Sequence, residues 1–384
     1  MSSDEMSELL AYCTSRLDWL VETTTALASL ESPTPDKAAV DRCGRAVAAR
    51  MRALGAAVDV LPSDTTGDHL RAVFGSGAGQ MLLLGHIDTV WPVGQIERMP
   101  IRRDGDRLYG PGVFDMKAGI AIGMLAAAAV TRGQVEPGRR VVMLLTADEE
   151  RGSAASRQLV EAEARRSDAV CVLEPALPGG ALKTRRKGAG EFELVVRGVA
   201  AHAGLEPEKG ASAISELAAQ IGAMDALADP ARGVTVNVGM VEGGSRPNVV
   251  AEHARAVMDV RVQSAADADR VEAAVRSLRP RDRRTSLVLG GGFSRPPLER
   301  TAGVARLYGM AREVAHALGR DLEEGSAGGG SDGNFTAALG VPTLDGLGAV
   351  GDGAHALHEH VEVDQLPWRA ALVAGLLRRI DAQW

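Results

Sequence analysis

The stretch VVMLLTADEERGS, residues 141–153, decides the fold, because it joins an apolar run to three consecutive acids and then to a turn. A short apolar run that ends at turn-forming residues predicts a buried β-strand. This strand would end on Asp148, Glu149 and Glu150, where like charges repel one another and lose part of their hydration. We therefore expect a positively charged partner to neutralise the acids at this strand end.

Apolar runs of the same kind occur on both sides of this strand, in MLLLGHIDTV (81–90) and AVCVLEP (169–175). They alternate with longer helical patterns at 35–54, 117–132 and 153–166. This alternation predicts an α/β domain with a mostly parallel mixed sheet between helices. Polar residues cluster where the strands end, and in open α/β sheets ligands bind at that edge.

The pattern changes at residue 183, after which apolar and polar residues alternate as in half-exposed strands, for example in EFELVVRGV. Helical patterns separate these strands, and the α/β character returns after residue 297. We therefore expect a catalytic domain made of residues 1–182 and 298–384, into which an α+β domain of residues 183–297 is inserted.

The composition of the 384-residue chain excludes several classes of protein. The chain is 45% hydrophobic, has a formal net charge of −7 and contains no basic block longer than KTRRK, so we expect no nucleic-acid partner. Its three cysteines form no CxxC pair, which argues against a disulfide framework and a zinc ribbon. The N-terminus lacks the features of a secretory signal, and the longest apolar run, residues 118–130, is shorter than the roughly 18–20 residues that span a bilayer. We expect a cytoplasmic protein, with no membrane span, that acts on a small molecule.

Several histidines and acids stand at the ends of apolar runs: His86, Asp88, Asp115, Glu149, Glu150, Glu174 and His355. A single carboxylate at a strand end is usually a helix N-cap or a solvated loop residue, but repeated occurrences favour a shared role. A pair of divalent metal ions would neutralise all the acids. In the motif HID, the i, i+2 spacing places His86 and Asp88 on one face of a strand, so that Asp88 can accept the second imidazole proton and fix the tautomer of His86.

The mixture of imidazole and carboxylate side chains favours Zn²⁺, or another first-row ion such as Co²⁺ or Mn²⁺, over Ca²⁺ and Mg²⁺, whose preferred ligands are all oxygen. Hydrolysis at such a centre also needs an Asp or Glu carboxylate that does not bind the metal. This carboxylate acts as the general base: it takes a proton from a water molecule whose pKa the metal has lowered. The adjacent Glu149 and Glu150 could divide the two roles.

Six motifs follow one another along the chain: GHIDTV, GPGVFDMKAG, TADEERGS, LEP, AAHAGLEPEKGASAI and GDGAHALHEH. In this set and order the chain resembles the M20 family of di-zinc metallopeptidases, and most of all its glutamate carboxypeptidase branch. The resemblance implies a set of ligands: His86 and Glu174 for one zinc ion, Glu150 and His355 for the other, and Asp115 as the bridge between both. It also implies that Glu149 is the general base and that the peptide bond after Asp115 is cis.

One departure from the family pattern concerns the last ligand. Relatives usually carry Ser or Thr directly after the C-terminal histidine, whereas this chain reads HALHEH. His355 fits the pattern because Glu359 then falls at the position of the family's glutamate. His358 remains an alternative ligand.

The inserted domain resembles the family's lid, which also forms the interface of a homodimer. The resemblance implies further site residues: His202, which polarises the scissile carbonyl in the neighbouring subunit; Asn248, which helps to bind the carbonyl or carboxylate; Arg261 and Arg295, which hold a substrate carboxylate; and Gly330 and Ser331, in a loop that lines the substrate pocket. The planar fork of arginine suits bidentate carboxylate binding. An ordinary turn histidine, a solvated strand face and a loop salt bridge are the alternatives for His202, Arg261 and Arg295.

These observations predict a metallocarboxypeptidase or amidohydrolase that cleaves an amide bond to a C-terminal amino acid. The substrate would be a small peptide or an N-acyl amino acid, with glutamate as the first candidate for the released residue. An N-acyl-amino-acid deacylase or desuccinylase of the aminoacylase type would share the site but recognise the acyl half. A homologue that binds without hydrolysis, and an enzyme dedicated to one biosynthetic intermediate, also stay open.

Overall fold

The computed structural model describes residues 3–131 and 138–383 of the chain. The chain divides into two compact units. The first unit consists of Met1–Arg185, Glu299–Ala327 and Ser331–Trp384, and the second of Arg186–Leu298 and Gly328–Gly330. The second unit overlaps the stretch 183–297 that the sequence pattern marks as an insert.

Helices and strands are numbered here along the whole chain. The helices are α1 Ser3–Thr14, α2 Leu17–Ala28, α3 Lys37–Ala53, α4 Gln95–Arg98, α5 Ala118–Thr131, α6 Arg157–Arg165, α7 Ala213–Asp225, α8 Ala265–Arg276, α9 Ala302–Ala317, α10 Gly333–Ala338 and α11 Leu366–Gln383. The strands are β1 Ala57–Leu61, β2 His69–His86, β3 Arg102–Asp104, β4 Arg107–Tyr109, β5 Arg139–Thr146, β6 Ala169–Val172, β7 Leu182–Arg186, β8 Gly188–Arg197, β9 Thr235–Gly243, β10 His253–Val262, β11 Ser286–Arg295, β12 Glu324–Ala327, β13 Thr343–Leu344, β14 Gly351–Asp352 and β15 His360–Glu362. Helices α3 and α9 each begin after an N-cap residue: the side chains of Asp36 and Thr301 accept backbone N–H groups of the first turn.

The main sheet of the first unit has the order β1-β2-β6-β13, with β5 paired to β2. Strand β2 pairs with β5 twice. The first half of β2 runs antiparallel to β5, because Leu70 pairs with Leu145 and Phe74 with Val141. The second half runs parallel to β5, starting from the pair of Met81 with Val141. Strand β5 therefore lies between the two halves of β2. The second half of β2 also runs parallel to β6, and β6 to β13, which confirms a mostly parallel mixed sheet.

Helix α5 is a core helix of this unit. Its sequence AGIAIGMLAAAAVT is apolar on all sides, and its residues are buried from Ala118 to Val130. The stretch Val113–Thr131, whose backbone is non-helical at Asp115 and Met116, is longer than the apolar run 118–130, and by length and composition it could cross a membrane. However, 94% of its apolar window is buried inside the fold, where α5 packs against α2 and α11.

The second unit is an antiparallel sheet of order β11-β8-β10-β9, on which α7 and α8 pack. Strand β10 alternates between buried and more exposed positions, as its sequence predicts. Its buried side chains join Phe192 and Leu217 in a hydrophobic core separate from that of the first unit. The sequence pattern does not indicate β11, because Gly290, Gly291 and Gly292 interrupt it; the strand is held by pairing with β8. The result is the expected α+β architecture.

Candidate metal centre

The candidate ligands of the first unit converge at one edge of its sheet. His86 is the last residue of β2, and the acids that follow the ends of β5 and β6 are Glu149, Glu150 and Glu174. These strand ends run parallel, so their last residues meet at the same edge. Asp115 lies in the turn immediately before α5, and the peptide bond after it is cis, as the family resemblance implies.

Asp115 lies between two histidines. Its Oδ1 is 3.2 Å from Nε2 of His86, and its Oδ2 is 3.4 Å from Nε2 of His355. On the first side, Oε1 of Glu174 lies 3.5 Å from the His86 nitrogen. On the second side, Oε2 of Glu150 lies 3.2 Å from the His355 nitrogen. The site therefore has two imidazole–glutamate halves that share Asp115.

The donor atoms fit divalent cations. Among residues 3–131 and 138–383, two groups have ligand atoms within 4.8 Å of one another: His86 with Glu149 and Glu174, and His86 with Asp115 and Glu150. Oε1 of Glu150 is buried and has no hydrogen-bond partner. Such an oxygen has lost its hydration without compensation, and a cation beside it would supply that compensation. A cation beside Glu150 would be the positive partner expected for the acids after β5.

Asp88 contacts both His86 and the backbone of Glu149 and Glu150. Its buried carboxylate accepts the Thr34 hydroxyl at 2.7 Å, the backbone N–H of Glu149 at 3.3 Å and that of Glu150 at 3.2 Å. Nδ1 of His86 lies 3.1 Å from the backbone oxygen of Asp88 and 3.4 Å from its Oδ1. The sequence predicts the carboxylate as the acceptor for His86. In the structure the backbone carbonyl is closer, and the carboxylate also fixes both glutamates.

Asp148, the first of the three consecutive acids, has a different task from the two glutamates. Its Oδ2 accepts the backbone N–H of Ala155 at 2.8 Å and of Ser156 at 3.3 Å. Asp148 therefore closes the turn that leads from β5 into α6. The sequence predicts roles for Glu149 and Glu150 only, and the folded turn gives Asp148 a structural one.

The charges of the site shift the pKa values of its members. Hydrogen bonds with Asp115 and Glu150 raise the pKa of His355 to about 10. Burial lowers the pKa of His86, but hydrogen bonds with the surrounding carboxylates, first that of Asp115, place it well above the ordinary value. Burial raises the pKa of Asp115, but its hydrogen bonds with the two imidazoles outweigh that effect and lower the pKa. Burial raises the pKa of Glu150. The centre is thus an acidic environment that favours positive charge.

His355, and not His358, reaches the other site residues. His355 has a φ of 61°, in the left-handed region that residues with a side chain rarely adopt. This backbone conformation accompanies the approach of its ring to Asp115 and Glu150. His358 lies on an exposed turn, with Nε2 at 3.9 Å from a carboxylate oxygen of Asp352. The geometry favours His355 as the ligand.

The two predicted residues of the glycine-rich loop are engaged within the protein. Ser331 is buried; its hydroxyl donates to Oδ2 of Asp345 at 2.7 Å, and its N–H to Oδ1 of Asn334 at 2.9 Å. Gly330 belongs to the second unit, where its carbonyl accepts a hydrogen bond from Nη1 of Arg186 at 3.1 Å. These contacts fix the loop backbone, and contact with a substrate stays a prediction.

His202 and Asn248 lie together in the second unit. The N–H of Ala203 donates to the backbone oxygen of Asn248 at 3.0 Å. The His202 ring is exposed, and its Nδ1 accepts the N–H groups of Gly204 and Leu205, each at 3.1 Å. In the neutral ring the proton therefore resides on Nε2, which can donate a hydrogen bond to a ligand.

The two predicted carboxylate-binding arginines differ in their surroundings. Arg261 makes a bidentate pair with Asp259, from Nε to Oδ1 at 2.9 Å and from Nη2 to Oδ2 at 2.8 Å. This pair uses the Nε–Nη2 edge of the guanidinium, and since a guanidinium has five N–H donors, a substrate carboxylate would bind at its other edge. Arg295 is buried at the end of β11. Binding of a substrate carboxylate by Arg261 and by Arg295 stays a prediction.

Sequence reasoning misses Lys117, which lies two residues after Asp115. Its side chain is buried, and its ammonium donates to the Ser32 hydroxyl at 2.7 Å and to the backbone oxygen of Ile87, in the HID motif. Lys117 thus ties the turn that carries Asp115 to the strand end that carries the histidine. The available signal is a lysine placed directly before a wholly apolar helix, where a solvated side chain is not expected.

A cluster of imidazoles and carboxylates at the carboxyl edge of a mixed α/β sheet is the arrangement of a metal site. The chain belongs to peptidase family M20/M25/M40, whose sequence model matches residues 82–379. This assignment confirms the family resemblance and the enzyme class expected from the motifs.

Individual relatives agree on the family but differ in activity. The chain is 29% identical over 379 residues to carboxypeptidase G2 of Pseudomonas sp. (strain RS-16), covering 94% of this chain and 89% of that protein. It is 32% identical to succinyl-diaminopimelate desuccinylase of Xanthomonas oryzae pv. oryzae (strain MAFF 311018), covering 94% and 98%. Among solved structures, aminopeptidase PepT from Bacillus cereus ATCC 10987 has a TM-score of 0.76 at 22% identity, covering 95% of this chain and 98% of that one. The M20 family metallo-carboxypeptidase Sso-CP2 from Sulfolobus solfataricus has a TM-score of 0.71 at 16% identity, covering 94% and 99%. The two structures share the fold, whereas the substrate is a separate question.

Proposed function

We propose that this chain is a di-zinc metallocarboxypeptidase that releases a C-terminal amino acid, with glutamate as the first candidate, from a peptidyl or N-acyl substrate. The observation that carries the proposal is the position of Asp115 between two imidazole–glutamate pairs. The likeness to carboxypeptidase G2 over 94% of the chain supports this activity.

The metal ligands in this proposal are His86 and Glu174 for one zinc ion, Glu150 and His355 for the other, and Asp115 for both. The unpartnered buried oxygen of Glu150 fits a cation. Mixed imidazole and carboxylate donors suit Zn²⁺, for which Co²⁺ or Mn²⁺ could substitute. When bound, the zinc ions would polarise the scissile carbonyl and lower the pKa of water in the site.

Glu149 acts as the general base. Its carboxylate lies within 4.8 Å of the ligand atoms of His86 and Glu174, and its backbone N–H is held by Asp88. From this position it takes a proton from the attacking water and delivers it to the nitrogen of the leaving amino acid. His202 of the partner subunit would donate a hydrogen bond from Nε2 to the developing oxyanion.

Recognition of the released amino acid is assigned to the arginines of the second unit. Arg295 and Arg261 would bind its free carboxylate, since a guanidinium presents two parallel N–H donors. Arg261 would do so from the edge of its guanidinium that does not face Asp259. Contacts to the rest of the substrate are assigned to Asn248, Gly330 and Ser331.

The test replaces Glu149 with glutamine and measures zinc content by mass spectrometry together with release of free glutamate from a panel of peptidyl and N-acyl glutamates. Since Glu149 is not a ligand in this proposal, both proteins should hold two zinc ions per chain. The variant should lose nearly all turnover, while Glu22→Gln, at an exposed position on α2, should keep the wild-type rate. Near-normal turnover in the Glu149 variant would contradict the mechanism.

A second candidate function is that of an N-acyl-amino-acid deacylase or desuccinylase. The observation that favours it is the 32% identity to succinyl-diaminopimelate desuccinylase over 98% of that protein. N-succinyl amino acids with different leaving halves, added to the same panel, separate the two functions. Rates that follow the acyl group rather than the terminal glutamate would favour the deacylase. Two bound metals with no release from any amide would favour a homologue that binds without hydrolysis.

A homodimer formed through the second unit and a cytoplasmic location complete the proposal. In that unit the edge strand β9 exposes Met240 and Val241, which a partner could cover. The three cysteines are free and buried, which suits a reducing compartment. Sedimentation of the purified chain at several concentrations tests the dimer.

A further inference from the structure

One buried carboxylate, that of Glu359, lies where several segments of the metal site meet. Glu359 is fully buried. Its Oε1 accepts the backbone N–H of Phe114 at 2.9 Å and that of Asp115 at 3.1 Å. Its Oε2 accepts the backbone N–H of Gly112 at 2.9 Å and the indole N–H of Trp91 at 2.7 Å. Four donors therefore converge on one side chain that is not itself a metal ligand.

The backbone of Glu359 is joined to the turn that carries His355. Its N–H donates to the oxygen of Ala356 at 3.0 Å, and the N–H of Ala356 donates to the oxygen of Gly353 at 2.8 Å. The carbonyl of Glu359 accepts from the N–H of Gly110 at 3.3 Å. Directly afterwards β15 pairs with β4, so the two turns are also held by a short sheet. Glu359 thus contacts the Asp115 turn through its side chain and belongs to the His355 turn through its chain.

The number of donors determines which side chain can occupy this position. An ionised carboxylate has acceptor sites on both oxygens and no donor of its own, so it can satisfy all four N–H groups. Hydrogen bonds to a charged acceptor are also about twice as strong as bonds between neutral groups. A glutamine of the same size would place its NH₂ group against one pair of donors, because each oxygen of Glu359 accepts from two of them.

We infer that Glu359 is a positioning residue, which fixes the turn of Asp115 against the turn of His355 and thereby sets the affinity of the site for divalent cations. The inference rests on the proposed two-metal site and assigns control of its affinity to a residue that binds no metal. Groups that orient metal ligands commonly change metal affinity about 10- to 100-fold when they are removed.

The test compares wild-type protein with Glu359→Gln, using the full chain and Zn²⁺ alone in competition with a chromophoric chelator. We expect at least one of the two zinc dissociation constants to rise about 10- to 100-fold. The visible absorption of the Co²⁺-loaded variant should also change, since that spectrum reports the arrangement of the ligands. Glu362→Gln makes the same substitution three residues away, on β15, and should bind Zn²⁺ and Co²⁺ as the wild type does.

A second variant keeps the test decisive if Glu359→Gln does not fold. Trp91→Phe removes only the indole donor and keeps an aromatic ring. It should weaken zinc binding by about 2- to 10-fold, the range expected for one hydrogen bond.

The outcomes separate this inference from the proposed function. Wild-type zinc affinity and an unchanged Co²⁺ spectrum in Glu359→Gln overturn the inference alone, provided that the wild type binds two ions. If that variant does not fold, wild-type affinity in Trp91→Phe overturns it. A wild-type chain that holds fewer than two zinc ions overturns the proposed site, and the inference with it.

Discussion

Replacing Asp88 with asparagine separates the charge of this side chain from its size. Its Oδ2 accepts from the Thr34 hydroxyl at 2.7 Å and the N–H of Glu150 at 3.2 Å, and its Oδ1 accepts from the N–H of Glu149 at 3.3 Å. Oδ1 also lies 3.4 Å from Nδ1 of His86. Asparagine fits the same space but offers one acceptor oxygen, and its NH₂ group replaces the other.

The magnitude follows from the groups that lose a partner. With the amide in either orientation, the N–H of Glu149 or that of Glu150 faces an NH₂ group and is left without an acceptor, which costs about 1–3 kcal/mol. The remaining bonds change from charge-assisted to neutral and lose about half their strength. We expect unfolding free energy to fall by about 2–4 kcal/mol. Because both glutamates and His86 would shift, zinc affinity should fall about 10- to 100-fold and kcat by about 100-fold.

Three measurements on the same samples check this prediction: urea unfolding of the metal-free protein, zinc affinity by chelator competition, and kcat on the best substrate of the panel. The matched control is Asp59→Asn, since Asp59 is an exposed carboxylate on β1, with an oxygen 3.7 Å from Nη1 of Arg71. That change should stay within about 0.5 kcal/mol of the wild type. Wild-type zinc affinity and turnover in Asp88→Asn would refute the role assigned to Asp88.

Two further predictions concern the last ligand and a buried arginine. His355→Ala should lose about one zinc ion per chain and nearly all turnover, whereas His358→Ala, on the exposed turn, should keep both; loss of metal only in the His358 variant would reverse the assignment. Arg369 is fully buried in α11 and donates to three backbone carbonyls. Arg369→Met removes these hydrogen bonds but also removes the cost of burying the charge, so the net loss of unfolding free energy should be about 3 kcal/mol. Urea unfolding measures this, with Arg378→Met, which removes one hydrogen bond to a carbonyl, as the control; equal losses in both variants would contradict the argument.

Much of the fold follows from local patterns. The apolar runs before His86, before the acids at 148–150 and before Glu174 are strands, since a buried parallel strand needs little more than continuous apolar residues between turns. The pattern misses β11, whose three consecutive glycines carry no alternation of side chains. That strand depends on its pairing with β8, whose residues lie roughly 100 positions earlier in the chain and therefore outside any local window.

For the candidate site, too, the sequence predicts some features and the structure supplies others. Spacing places His86 and Asp88 at one strand end, and the motifs favour His355 over His358. The sequence does not show which oxygen accepts the N–H group of His86. The structure places the backbone carbonyl nearer than the carboxylate. For Arg261 the sequence offers a free guanidinium, whereas the structure pairs it with Asp259 two residues earlier on the same strand face.

The sequence by itself determined the chemical types at the centre, imidazole and carboxylate, and their places at strand ends, because residue identity and apolar periodicity are local properties of the chain. The tertiary structure decided how each of these acids is held: Oε2 of Glu150 lies 3.2 Å from Nε2 of His355, while Asp148 accepts the N–H groups of the turn before α6. It also decided that the carboxylate of Glu359 gathers donors from residues 91 and 112–115. The physical reason is that a hydrogen-bonded carboxylate is defined by its donors, and these come from segments that meet only when the sheet and its turns have formed.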